Sequence, residues 1–123
     1  MKIDSRRTTA GRGEDAAAAY LRDRGYRIVE RNWRCRLGEI DIVARDGETL
    51  VFVEVKSRRS AAFGAPQAAV DGRKQRKLSL AALHYLQARR VAPGPARFDV
   101  VAVTVRDDGD DIELFRNAFD FVR

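Results

Sequence analysis

Cysteine is nearly missing from this chain. Cys35 stands alone, which excludes an internal disulfide and any zinc site built from cysteines. Histidine is as scarce: His84 falls deep in a helical pattern away from the acids described below, where a surface histidine is expected rather than a general base. No apolar run approaches the roughly 18 residues of a membrane span, and no apolar signal-peptide core stands near Met1, so a cytoplasmic protein outside any membrane is expected. Low-complexity tracts are also lacking. Residues 10–123 are therefore expected to form one domain, preceded by a flexible basic arm over residues 1–9 that carries Arg6 and Arg7. A chain of this length buries roughly 65% of its unfolded surface.

What the sequence has in excess is positive charge, 24 Lys and Arg against 18 Asp and Glu, with arginine far outnumbering lysine. The planar guanidinium suits phosphate, so a polyanionic partner is one explanation; a proteome that writes arginine for lysine is the other.

The chain is organised around Gly38 to Lys56. Two runs rich in Ile, Val and Phe flank Asp46-Gly47, a strong hairpin signal. Taking Asp46 and Gly47 as the turn sets Arg45 opposite Glu48, Val43 opposite Leu50, Asp41 opposite Phe52 and Glu39 opposite Glu54. Asp41 then lies diagonal to Glu54, roughly 7–8 Å away. Lys56 projects from the same face one pleat further on. An odd-numbered turn would send Asp41 to the other face. Two carboxylates about 5 Å apart repel by roughly 3 kcal/mol at an effective dielectric of about 20. Such a pair holds a proton or a cation, and oxygen ligands without Cys or His favour Mg²⁺ or Mn²⁺ over zinc.

Around this hairpin the pattern predicts a helix over Ala10 to Arg24, with Thr9 as N-cap and Gly25 as the stop. Glu14 shares its inward face with Ala18 and Leu21, or else complements the helix dipole. Tyr26 to Trp33 reads as a strand with Tyr26, Ile28 and Val29 packing and Trp33 in the core. Val51, Val53 and Val55 form one apolar face and Leu50 and Phe52 the other, as in a central strand between helices. A loop through Phe63, Gly64 and Pro66 and a helical turn over Gln67 to Val70 lead to Asp71, the N-cap of a helix reaching Arg89. Its first turns carry Arg73, Lys74, Arg76 and Lys77. Phe98 to Val105 is an apolar strand whose Asp99 pairs with an arginine, caps a loop or supports the site. Asp111 to Phe115 is an edge strand, and Phe119 and Phe121 pack against the sheet. The order α-β-β-β-α-β with a C-terminal edge strand defines a mixed central sheet flanked by helices.

Glu14, Gly38-Glu39-Ile40-Asp41 and Val53-Glu54-Val55-Lys56 together resemble the acid, acid, Glu-x-Lys pattern of the restriction-endonuclease-like superfamily. With Phe52 to Arg58, Arg97-Phe98-Asp99-Val100-Val101 and Asn117-Ala118-Phe119 added, the sequence looks like the bacterial YraN family over most of residues 11–121. Archaeal Holliday-junction resolvases are similar in the same blocks. The resemblance implies a metal-dependent DNA endonuclease, acting on branched or otherwise structured DNA. Asp41, Glu54 and the Val55 carbonyl would hold Mg²⁺ or Mn²⁺, and Lys56 would orient or activate the attacking water. Glu14 would contact metal or water, with Glu39 in support. Arg34, Arg36, Arg58, Arg59, Arg73, Lys74, Arg76 and Lys77 would hold the nucleic-acid backbone, and cutting both strands of a junction would call for a homodimer. Two other readings compete: a catalytically silent nucleic-acid-binding or assembly module with the same fold, and a purely structural ion pair among the acids and Lys56.

Overall fold

The alanine-rich stretch after Thr8 forms helix α1 (Thr9–Asp23) in the computed structural model, which describes residues 8–59 and 70–122. The cap is Thr8 rather than Thr9, because the Thr8 hydroxyl accepts the Gly11 N–H at 2.9 Å and satisfies an amide the helix leaves open. Gly25, at φ 89°, ends the element where a side chain would be strained. The inward stripe of α1 is Gly13, Ala17, Ala18 and Leu21.

Strands β1 (Arg27–Cys35), β2 (Gly38–Asp46) and β3 (Thr49–Arg58), helix α2 (Gly72–Ala88) and strands β4 (Ala96–Thr104) and β5 (Asp111–Phe119) follow. They form one sheet in the order β1-β2-β3-β4-β5. Neighbours are antiparallel except β3 and β4, which run parallel and are joined through α2, as a parallel pair requires. Residues 60–69, which hold the expected loop and all but the last residue of the expected helical turn, and residues 1–7 of the expected basic arm lie outside the described residues; Thr8 and Thr9, expected in that arm, cap and open α1 instead.

β3 is the central strand, and its two faces are covered as its alternation predicts. Val51, Val53 and Val55 pack with Ile42, Val101 and Val103 under Ala17, Ala18 and Leu21 of α1. Leu50 and Phe52 pack with Phe98 and Val100 under Leu78, Ala81, Ala82 and Tyr85 of α2. Truncating a fully buried member such as Leu21 or Phe52 to alanine would cost about 2–5 kcal/mol. Val29, expected to pack, is exposed on β1. β5 runs four residues beyond the expected Phe115, so Phe119 belongs to the strand.

The hairpin turn is displaced from its expected place. Asp46 pairs with Thr49, so Gly47 and Glu48 are the two turn residues. Gly47 alone takes a positive φ, 60°, which suits the first central position of a two-residue turn. Val43 therefore faces Phe52 and Ile42 faces Val53. The turn remains even, so side-chain parity is kept, but the register slides by two. Asp41 falls beside Glu54 instead of diagonal to it, and Glu39 no longer faces Glu54.

A second irregularity lies one residue further along. The β2–β3 ladder ends at Ile42–Val53, although β3 continues beside β4 to the Arg58–Thr104 pair. Ile42 joins the core under α1, whereas Ile40 joins the core under α2. In an uninterrupted strand two such residues share a face. The alternation therefore breaks at Asp41, across from Asn32, which adopts φ 55° between the Arg31–Ile42 and Trp33–Ile40 pairs.

Candidate functional site

Asp41 stands where β2 leaves β3. Its Oδ2 accepts the Val55 N–H at 2.8 Å, taking a donor that the interrupted ladder leaves open. That bond ties Asp41 to the Glu54-Val55-Lys56 segment and leaves its other lone pairs free. Glu54 is 7% exposed, and its carboxyl lies within hydrogen-bonding reach of Asp41. Burial first, and the Asp41 charge second, push Glu54 up to about 8, while Lys74 and Lys56 oppose the rise. Burial and the neighbouring carboxyl both disfavour a charge on Glu54, and either a proton or a cation relieves them.

Lys56 lies on the Glu54 face by alternation and is half-buried. A second ammonium is closer than sequence spacing indicates: Lys74 Nζ, from the first turn of α2, is 3.7 Å from Glu54 Oε2. Its only sequence signal is a cation in a helix N-terminal turn that contains no acid, where the dipole favours the opposite charge.

Glu14 approaches from α1. Burial first and then Asp41 raise its carboxyl above the ordinary range, with Arg31 opposing. Its Oε1 is buried without a hydrogen-bond partner among the described residues. Gly13 lets the helix come this close: a Cβ there would lie 2.6 Å from Ser57 Cβ on β3. Beside Glu14 an open cleft of about 570 Å³ is lined by Asp15, Arg31, Asn32 and Arg34. Arg31 is tied to Asp15 at 2.9 Å.

Glu39 adds its charge to the rise at Glu14, but its carboxylate is taken by an arginine. It lies across from Arg34 in the β1–β2 ladder and pairs with Arg34 Nε at 3.0 Å, half out in solvent. Arg36 is exposed in the following turn, and Arg59 Nε donates to Thr9 Oγ1 at 3.1 Å. Arg58 lines a groove with Ala102, Thr104 and Asp111. Arg73, Arg76 and Lys77 are exposed on α2. These cations stand at the end of β1, the end of β3 and the start of α2, the end of the sheet that carries Glu54.

Asp99 is fully buried on the other face. It accepts from Tyr26 Oη and Arg97 Nε, both at 2.9 Å, and from the Asn117 N–H at 2.9 Å. Arg97 also reaches Asp46 at 2.8 Å, as does Arg116. This network fastens Tyr26, just ahead of β1, to the hairpin, β4 and β5, which makes Asp99 a structural acid paired with an arginine. His84 is exposed beside the Trp33 ring, 6.3 Å between centroids.

Among the described residues no three His, Cys, Asp or Glu side chains form a metal-binding group by themselves. The available set is two carboxylates and the Val55 carbonyl, with the partnerless Glu14 oxygen behind them. All are hard oxygen donors, which fits Mg²⁺ or Mn²⁺ because such ions accept one or two carboxylates and keep waters in their remaining positions.

The mixed five-stranded sheet between two helices, with Asp41 at a strand break beside Glu54-Val55-Lys56, defines a restriction-endonuclease-like α/β protein. The chain belongs to the family described as "Uncharacterised protein family UPF0102", the YraN group, which it matches over residues 13–103. A UPF0102 protein of Syntrophus aciditrophicus is 58% identical over 108 residues, 88% of this chain and 85% of its own length. Another, from Geobacter sulfurreducens, is 57% identical over 110 residues, 89% of this chain and 86% of its own. The match to one from Moorella thermoacetica, 51% identical, covers 94% of this chain and 98% of the relative. No helix among the described residues is long and apolar enough to cross a membrane.

Proposed function

We propose that this protein is a Mg²⁺- or Mn²⁺-dependent endonuclease that hydrolyses phosphodiester bonds in DNA, with branched or otherwise structured DNA as the substrate. The observation that carries this reading is the pairing of Asp41 with Glu54 at the point where β2 leaves β3, beside two ammonium groups. A buried Glu54 beside a half-buried Asp41 is a place where a divalent cation can take over the relief that a proton otherwise gives.

Asp41, Glu54 and the Val55 carbonyl would hold the ion, and Glu14 would receive its water or a further ligand position from the α1 side. When bound, a divalent ion supplies positive charge against the phosphorane-like transition state and polarises water for attack. Lys56 orients that water and adds charge beside the phosphate. Arg34, Arg36, Arg58, Arg59, Arg73, Arg76 and Lys77 hold the backbone without reading bases. A cut on both strands of a junction calls for two such sites, and therefore a symmetric homodimer.

The test is a cleavage screen of branched, flapped, single-stranded and duplex DNA with Mg²⁺ and Mn²⁺. Wild type is expected to cut, and Glu54→Ala and Lys56→Ala to lose about 10²-fold or more while still melting cooperatively. Cutting that survives both substitutions belongs to a contaminant. DNA binding without any cutting by wild type supports the silent-module reading instead.

A further inference from the structure

Lys74 has no place in the metal set just described, yet it is the cation nearest to Glu54 for which the structure gives a direct ion pair, at 3.7 Å. Two features oppose its placement there. A positive side chain in the first turn of α2 faces the positive end of the helix dipole. Its long stem is also held half-buried, at a cost in rotamer freedom. The backbone beneath it is fixed: Asp71 Oδ1 accepts the Lys74 N–H at 3.0 Å, and Gln75 Nε2 donates to the Val70 carbonyl at 3.0 Å. The helix start is therefore rigid while the four-carbon stem can swing.

We propose that Lys74 is a phosphate-contacting residue of this site, paired with Glu54 until a divalent ion takes that carboxylate and then turned to a backbone phosphate of the bound nucleic acid. The proposal rests on the nuclease reading. A divalent ion held by Asp41 and Glu54 offsets the negative charge that draws the Lys74 ammonium at 3.7 Å, which weakens the pair's hold on it. The anion then closest in character to the one lost is a phosphodiester, which lysine binds as a point charge. Metal and Lys74 thus compete for Glu54, whereas metal and substrate cooperate through Lys74.

Two measurements on wild type, Lys74→Ala, Lys74→Arg and Arg76→Ala test this. The first is the Mn²⁺ concentration giving half of the maximal thermal shift, without nucleic acid. The second is KM and kcat on a DNA that wild type cuts. Lys74→Ala is expected to lower the Mn²⁺ midpoint by about threefold or more, because a competing charge is gone. The same variant should raise KM by about tenfold, with a smaller change in kcat. Lys74→Arg should bring KM back toward wild type. Arg76→Ala, whose side chain is exposed on α2, should raise KM without moving the Mn²⁺ midpoint. A Lys74→Ala midpoint equal to that of wild type, or a KM that Lys74→Arg does not rescue, overturns the role of Lys74 and leaves the metal site standing. A wild type with neither a Mn²⁺ shift nor cutting overturns the nuclease reading itself, and this proposal with it.

Discussion

Glu54 concentrates the chemistry of the molecule in one side chain. Its ordinary value is 4.5 and its folded value about 8, so between those pH values the native state keeps a proton that the unfolded chain releases. Stability without divalent ions should therefore be highest, for this group, below about pH 4.5 and should decline as pH rises to about 8. Glu54→Gln should flatten that decline and stabilise the protein at pH 8 by about 1–3 kcal/mol. Urea melts at pH 5, 6.5 and 8 compare the two proteins; parallel pH profiles would contradict the assignment of the proton to Glu54. The proton and Lys74 together explain how the buried Glu54 coexists with Asp41. Neither could be read from the Glu-x-Lys spacing, since one depends on burial depth and the other on the reach of a side chain from α2.

Helix α1 contributes to the site only because it lies unusually close to β3. Gly13→Ala would set a methyl group 2.6 Å from Ser57 Cβ, so the helix must lift. Destabilisation of about 1–3 kcal/mol is expected. Gly72→Ala is the contrast, because nothing lies within 4 Å of its added Cβ at the start of α2. It should be neutral or slightly stabilising, by up to about 1 kcal/mol. Denaturant melts of both variants check this, and equal effects would contradict the close-packing account. Much of the element order was legible in the residues. Val51, Val53 and Val55 against Leu50 and Phe52 announce a strand buried on both faces, and Asp71 announces the start of α2. The hairpin register was not legible. Asp46-Gly47 marks a turn, but which two residues occupy it depends on where the positive φ of Gly47 falls within it. The break at Asp41 leaves no trace in hydrophobic alternation, since Ile40 and Ile42 look like one face and belong to two. β5 extends past what its residues suggest, because Arg116 and Asn117 in its second half look like loop residues although the strand pairs with β4 as far as Phe98–Phe119.

The whole molecule divides into two ends. At one, Asp46, Arg97, Asp99, Arg116 and Tyr26 close a buried network that joins four parts of the chain. At the other, Asp41, Glu54, Lys56 and Lys74 interact, Glu14 adds its carboxyl beside Asp41, and arginines from β1, β3 and α2 stand at the same end. This division accounts for the excess of 24 basic over 18 acidic residues better than composition alone does, because the exposed cations of α2 gather beside the paired acids. The central claim is that the acid pair is built to hold a small divalent ion. Its most direct test is the melting temperature of wild type and Asp41→Asn titrated with Mg²⁺ and Mn²⁺ at constant ionic strength. Wild type should gain stability logarithmically with ion concentration, about 2.7 kcal/mol at a hundred times the dissociation constant, and Asp41→Asn should gain almost none. A wild type indifferent to both ions, or an Asp41→Asn variant that rises alongside it, would contradict the claim.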